Sequence, residues 1–79
     1  MLNLFKLQLE SPFICRLLTN AGLHVGNLKL IDGVWKFKAI GYTEARQIIP
    51  GGGPLTGHHN TVFNALNEGE INRVFQLKF

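Results

Sequence analysis

The histidines and the glycines beside them are the residues in this chain whose spacing suggests chemistry. Pro50 to Asn60 reads PGGGPLTGHHN and holds two of the three histidines, His58 and His59. Glycines lack a Cβ and let backbone N–H groups approach a ligand closely, while Pro50 and Pro54 stiffen the flanks. Gly52 and Gly57 have the Gly-x-x-x-x-Gly spacing of a phosphate loop. His58 and His59 stand where that loop requires Lys and Ser or Thr, and no buried parallel strand precedes it, so a nucleotide loop is excluded. A simpler site survives: the N–H groups of Gly57, His58 and His59 at an expected helix start would hold one phosphate or carboxylate, with Arg46 as companion cation. The alternative for residues 50–57 is a mobile Gly/Pro-rich connection.

His58 or His59 as acid or base, with Tyr42, Glu44 and Arg46 close by in sequence, is also a set on which a small metal-independent ribonuclease runs. One group takes the 2′-hydroxyl proton and the arginine steadies the phosphorane charge. A metal site would need His24, His58, His59 and Cys15 to converge. Neighbouring residues on a helix diverge by about 100°, and no carboxylate sits at ligand spacing beside the pair, so neither metal nor cofactor is expected. Cys15 is the only cysteine, which excludes an internal disulfide and a Cys-rich zinc ribbon.

The elements expected to position these groups follow from periodicity. Leu2 to Glu10 alternates apolar and polar residues and reads as a half-buried strand. Ser11-Pro12 offers an N-cap and a first-turn proline. Ile14, Leu17, Leu18 and Ala21 then follow at helical spacing, and Gly22 supplies a stop. His24 to Ile31 and Val34 to Gly41 flank Asp32-Gly33, the signature of a two-residue type I′ hairpin. That turn sets Lys29 opposite Lys36, and puts Leu28, Leu30, Trp35, Phe37 and Ala39 on one face. Residues 43–49 read as a short helix or as a further strand, with the helix favoured. A helix from Thr56 or Gly57 to Gly69 and a strand over Ile71 to Phe79 complete a β-α-β-β-α-β order. The expected fold is therefore α+β and ferredoxin-like, with two helices on one face of a mostly antiparallel sheet, in one domain spanning residues 1–79.

With these registers all five lysines, Lys6, Lys29, Lys36, Lys38 and Lys78, share the uncovered sheet face, while the carboxylates gather at turns and helix ends. Like charges directly opposite each other cost stability, so the Lys29–Lys36 pair suggests an anionic partner. The bland alternative is that wet sheet faces carry lysine for solubility and against edge pairing. Phe5, Trp35, Phe37, Phe75 and Phe79 fall on the core face, which argues against base stacking on the sheet.

Points of the chain resemble the small HicA-type toxins, which bind RNA on a double-stranded-RNA-binding-like fold. The similarity lies in Leu17-Leu18-x-x-Ala21-Gly22, in Gly33 with Phe37, and in Ile49-Pro50 followed by Gly and a final helix. The resemblance implies a sheet with an extra strand at 43–49. The family's Gly-Ser-His-His would fall on Gly33-Val34-Trp35-Lys36, where no histidine stands, so the resemblance implies a lost activity.

Composition sets the outer bounds. The 79-residue chain is 46% apolar with a formal charge of +3, which argues against disorder and gives only a mild basic bias. A chain of this size buries about 60% of its unfolded surface, and a homodimer would add to so thin a core. Lys6, Gln8 and Glu10 interrupt the apolar start, so no signal-peptide core is read, and nothing reaches the roughly 20 apolar residues of a membrane span. No membrane contact and a cytoplasmic location are expected. The sequence thus points to a small non-enzymatic binding module for nucleic-acid backbone or an acidic protein surface. Alternatives are an inhibitor or adaptor of the mobile-element type, binding one protein target, and the ribonuclease.

Overall fold

Ser11 to Ile14 decides the architecture. Pro12 and Phe13 form a two-residue loop in which Ser11 pairs with Ile14, and the Ser11 hydroxyl accepts a hydrogen bond from the Phe13 N–H at 3.2 Å. The chain folds back on itself here, and no helix follows. The computed structural model describes residues 5–76. Within them β1 (Phe5–Ser11), β2 (Ile14–Thr19), β3 (His24–Ile31) and β4 (Val34–Tyr42) form an antiparallel meander. β5 (Ile48–Pro50) and β6 (Val62–Phe63) share the far edge of β4, at Ile40–Tyr42 and at Trp35–Lys36 respectively. One α-helix, α1 (Glu68–Gln76), closes the described chain.

This overturns the ferredoxin-like β-α-β-β-α-β arrangement, and the double-stranded-RNA-binding-like alternative with it. The structure is mostly a six-stranded antiparallel sheet with one short helix. The fixed φ of Pro12 suits the first position of a helix and the second position of a β-turn equally. Ile14, Leu17 and Leu18 match a helical stripe, yet Cys15 and Leu17 also alternate with Ile14, Arg16 and Leu18. In a central strand both sets are useful: Cys15 and Leu17 are fully buried, and Ile14, Arg16 and Leu18 are half-buried on the other face. Gly22 takes the left-handed conformation expected of it (φ 86), but in the β2–β3 turn, where its N–H donates to the Thr19 carbonyl. The helix that carried the HicA resemblance is therefore a strand and a turn.

Two other expected elements also change. The favoured helix at 43–49 is a Thr43–Gln47 turn with Arg46 left-handed (φ 63), and only Ile48–Pro50 is extended against β4. After the glycine loop the helix stops at one 3-10 turn, Thr56–His58, because His59 is extended and Asn60 left-handed (φ 73). The expected strand from Ile71 is α1. The Asn67 side chain caps it by accepting from the Glu70 N–H at 2.9 Å, Glu68 and Glu70 stand in its first turn, and Ile71, Val74 and Phe75 make its apolar stripe. Leu77, Lys78 and Phe79 lie outside the described residues.

The Asp32-Gly33 hairpin forms as its sequence requires. Both residues have positive φ, and Lys29 pairs with Lys36, Leu28 with Phe37 and Leu30 with Trp35. The apolar face of this hairpin is the floor of the core, and α1 lies over it. Phe75 is the hub, its ring 4.9 Å from Phe37, 5.8 Å from Phe5 and Phe63, and 4.7 Å from His58. Asn72, one helical turn from Glu68, clamps α1 to the edge strand. Its Oδ1 accepts from the Phe5 N–H, and its Nδ2 donates to the carbonyls of Phe5 (3.0 Å) and Glu68 (2.9 Å). The clamp covers backbone groups that an edge strand would otherwise offer to another chain. Among the described residues no helix is long and apolar enough to cross a membrane.

Candidate functional site: the polar face of the sheet

Strand alternation, with the core on one side, places Lys6, Gln8, Arg16, Asn27, Lys29, Lys36 and Lys38 on the face away from α1. Lys6 and Lys29 are exposed, and Arg16, Lys36 and Lys38 half-buried. An open groove of about 780 Å³ runs along this face, lined among others by Glu10, Arg16, His24, Lys29, Lys38 and Tyr42. Among the described residues of that lining Glu10 is the one carboxylate, against Arg16, Lys29 and Lys38. Among the described residues, the cations that make side-chain hydrogen bonds here make them to an imidazole and an amide. Arg16 Nη2 reaches His24 Nδ1, and Lys38 Nζ donates to Asn60 Oδ1 at 2.6 Å.

His24 is the centre of the polar network. Its Nε2 lies 2.8 Å from Asn27 Oδ1, an atom that only accepts, so Nε2 carries the proton and Nδ1 presents its lone pair. Arg16 Nη2 and the Tyr42 hydroxyl both approach that lone pair, each at 3.4 Å. The three residues come from β2, β3 and β4, and a register shift between Leu17 and Leu18 brings His24 opposite Leu18 on the polar face.

The glycine loop serves the sheet edge. Gly51 donates to the Ala39 carbonyl at 2.8 Å, and Thr56 Oγ1 donates to the Gly51 carbonyl at 2.6 Å. A Cβ on Gly53 would lie 2.1 Å from the Ile40 carbonyl oxygen, and one on Gly41 would lie 2.6 Å from the Gly53 nitrogen. The loop is packed flat on β4. Its glycines make room for backbone, the second use of such residues. His59 completes the edge: its Nδ1 accepts from the Ala39 N–H at 3.0 Å, in the gap between β5 and β6.

The anion site expected at Gly57, His58, His59 and Arg46 is not assembled. The helix start on which it depended is a three-residue turn, His58 is 5% exposed with its ring against Phe75, and Arg46 is on the exposed Thr43–Gln47 turn. The ribonuclease set is divided in the same way. His59 and Tyr42 line the groove, whereas His58 faces the core and Glu44 and Arg46 are in the turn. Among the described residues no three His, Cys, Asp or Glu side chains converge as a metal site requires. Of the lysines, Lys6, Lys29, Lys36 and Lys38 share the polar face, and Lys78 lies outside the described residues. Arg16, His24 and Asn27 were missed as a group. Their signal was the Ile14-Arg16-Leu18 alternation, legible once residues 14–19 are read as a strand.

Compared with protein-family models, with curated proteins and with solved structures, the chain matches none.

Proposed function

We propose that this protein is a small non-enzymatic binding module that holds nucleic-acid backbone on the polar face of its sheet. The observation supporting this reading is the register that sets Lys29 directly opposite Lys36, with Lys38, Lys6 and Arg16 on the same face. Lys6 on β1 and Lys36 on β4 are three strand spacings apart across the sheet and four residues apart along it, a diagonal of about 20 Å, over which one strand of a duplex presents about six phosphates. Phe5, Trp35, Phe37 and Phe63 are turned to the core side, so the contact is with phosphates and is indifferent to sequence.

The test is fluorescence anisotropy with a labelled oligonucleotide, comparing the wild-type chain with a Lys29→Glu, Lys36→Glu, Lys38→Glu variant. The proposal expects binding in the wild type and its loss in the variant, with unchanged circular dichroism. Equal binding by both proteins rules it out.

A further inference from the structure

The groove contains two donors aimed at one acceptor. His24 Nδ1 has a single lone pair, and Arg16 Nη2 and the Tyr42 hydroxyl both reach for it at 3.4 Å, the long limit of a hydrogen bond. One lone pair cannot satisfy both well. Asn27 holds the imidazole in this tautomer from the opposite side, so the ring cannot offer a second acceptor without breaking a 2.8 Å bond. The guanidinium keeps further N–H groups, and Tyr42 is 42% exposed on the groove. Lys29 and Lys38 add positive charge to the same lining, against Glu10 alone among the described residues.

We infer that Arg16 and Tyr42, gathered by His24 and Asn27, form a discrete site for one phosphate oxygen of a bound nucleic-acid backbone. A phosphate oxygen has several lone pairs and a negative charge, so it accepts from the guanidinium and the phenol together where the imidazole accepts poorly from each. Arg16 supplies a planar fork that a lysine cannot imitate. Tyr42 moves its proton-donating bond from His24 to the ligand, and His24 with Asn27 acts as a positioning pair. This site rests on the backbone-binding reading but requires more of it: a diffuse lysine surface responds to net charge, and a built site responds to geometry at constant charge.

Two charge-conserving variants, Arg16→Lys and Tyr42→Phe, separate them. Their affinity for a short single-stranded oligonucleotide is compared with wild type. Inorganic phosphate is titrated into each protein while the His24 ring signals are followed by NMR. The site predicts about tenfold weaker oligonucleotide binding in each variant, the loss of one hydrogen bond to a charged group. It also predicts His24 signals that shift with phosphate in the wild type and stay still in Tyr42→Phe. Wild-type affinity in both variants with no phosphate shift at His24 overturns the site, and leaves the lysine surface standing if the triple glutamate variant has lost binding. A wild type that binds no oligonucleotide yet shows the His24 shift overturns the backbone-binding reading and keeps a phosphate site. A variant with altered circular dichroism is replaced by His24→Gln, for which the same loss of the phosphate response in Arg16 and Tyr42 signals is expected.

Discussion

Lys29 and Lys36 stand directly opposite each other on β3 and β4, and Lys36 is flanked on its other side by Val62 of β6. A like-charge cross-strand pair destabilises a sheet by a few tenths of a kcal/mol to about 1 kcal/mol relative to a neutral pair. Lys36→Glu replaces it with an opposite-charge pair. The expected result is a higher urea midpoint, by about 0.5 kcal/mol in stability, together with weaker oligonucleotide binding. A variant that gains stability and keeps full affinity would show that the pair has no part in binding.

Asn72 is expected to matter more than its place near the end of the described chain suggests. Its side chain pairs with both backbone groups of Phe5 and with the Glu68 carbonyl. Asn72→Ala leaves the Phe5 N–H and carbonyl without those partners under α1. The expected cost is about 1–3 kcal/mol in equilibrium unfolding. Faster amide exchange at Phe5 should accompany it, and wild-type protection there would contradict the clamp.

Gly26 and Gly57 offer a paired test of the packing. A Cβ on Gly26 would lie 2.3 Å from the Phe37 ring, which is fully buried, whereas a Cβ on Gly57 meets nothing within 4 Å. Gly26→Ala forces Phe37 to move and should cost about 1–3 kcal/mol. Gly57→Ala should be close to neutral in the same denaturation experiment.

Burial pushes the Cys15 thiol up from its ordinary value. A backbone hydrogen bond from Gln8 offsets part of this, and the Glu68 charge adds to the rise. A folded-state value above the unfolded one favours folding while the thiol is protonated. That contribution is whole below the unfolded value of about 8.5 and is lost as pH rises through the folded value. Stability should therefore decline above pH of about 8.5, less so in Cys15→Ala, and iodoacetamide should label the native protein slowly and the unfolded chain fast.

How much of this was legible in the sequence differs from element to element for physical reasons. Asp32-Gly33 specified its hairpin because few residues accept positive φ at both turn positions, and from that turn the register of Lys29 and Lys36 followed. Ser11-Pro12 misled because one fixed φ serves a helix start and a β-turn alike, and a central strand hides its alternation when both faces are partly apolar. Asn67 with Glu70 was a capping signal for α1, outweighed by the alternation of Phe75, Leu77 and Phe79. His59 could not be read at all. Its role is to accept from Ala39, 20 residues away in sequence, which depends on where the glycine loop lies on β4. The Arg16–His24–Tyr42 convergence required three strands to be in their correct order before any of it could be seen.

The most direct test of the lysine face is the salt dependence of its affinity for a single-stranded oligonucleotide. With one phosphate neutralised by each of Lys6, Arg16, Lys29, Lys36 and Lys38, the logarithm of the binding constant should fall against the logarithm of salt concentration with a slope of about −3.5. In a Lys29→Gln, Lys36→Gln, Lys38→Gln variant the slope should become shallower by about 2. A wild-type slope near zero, or an identical slope in both proteins, would contradict the account.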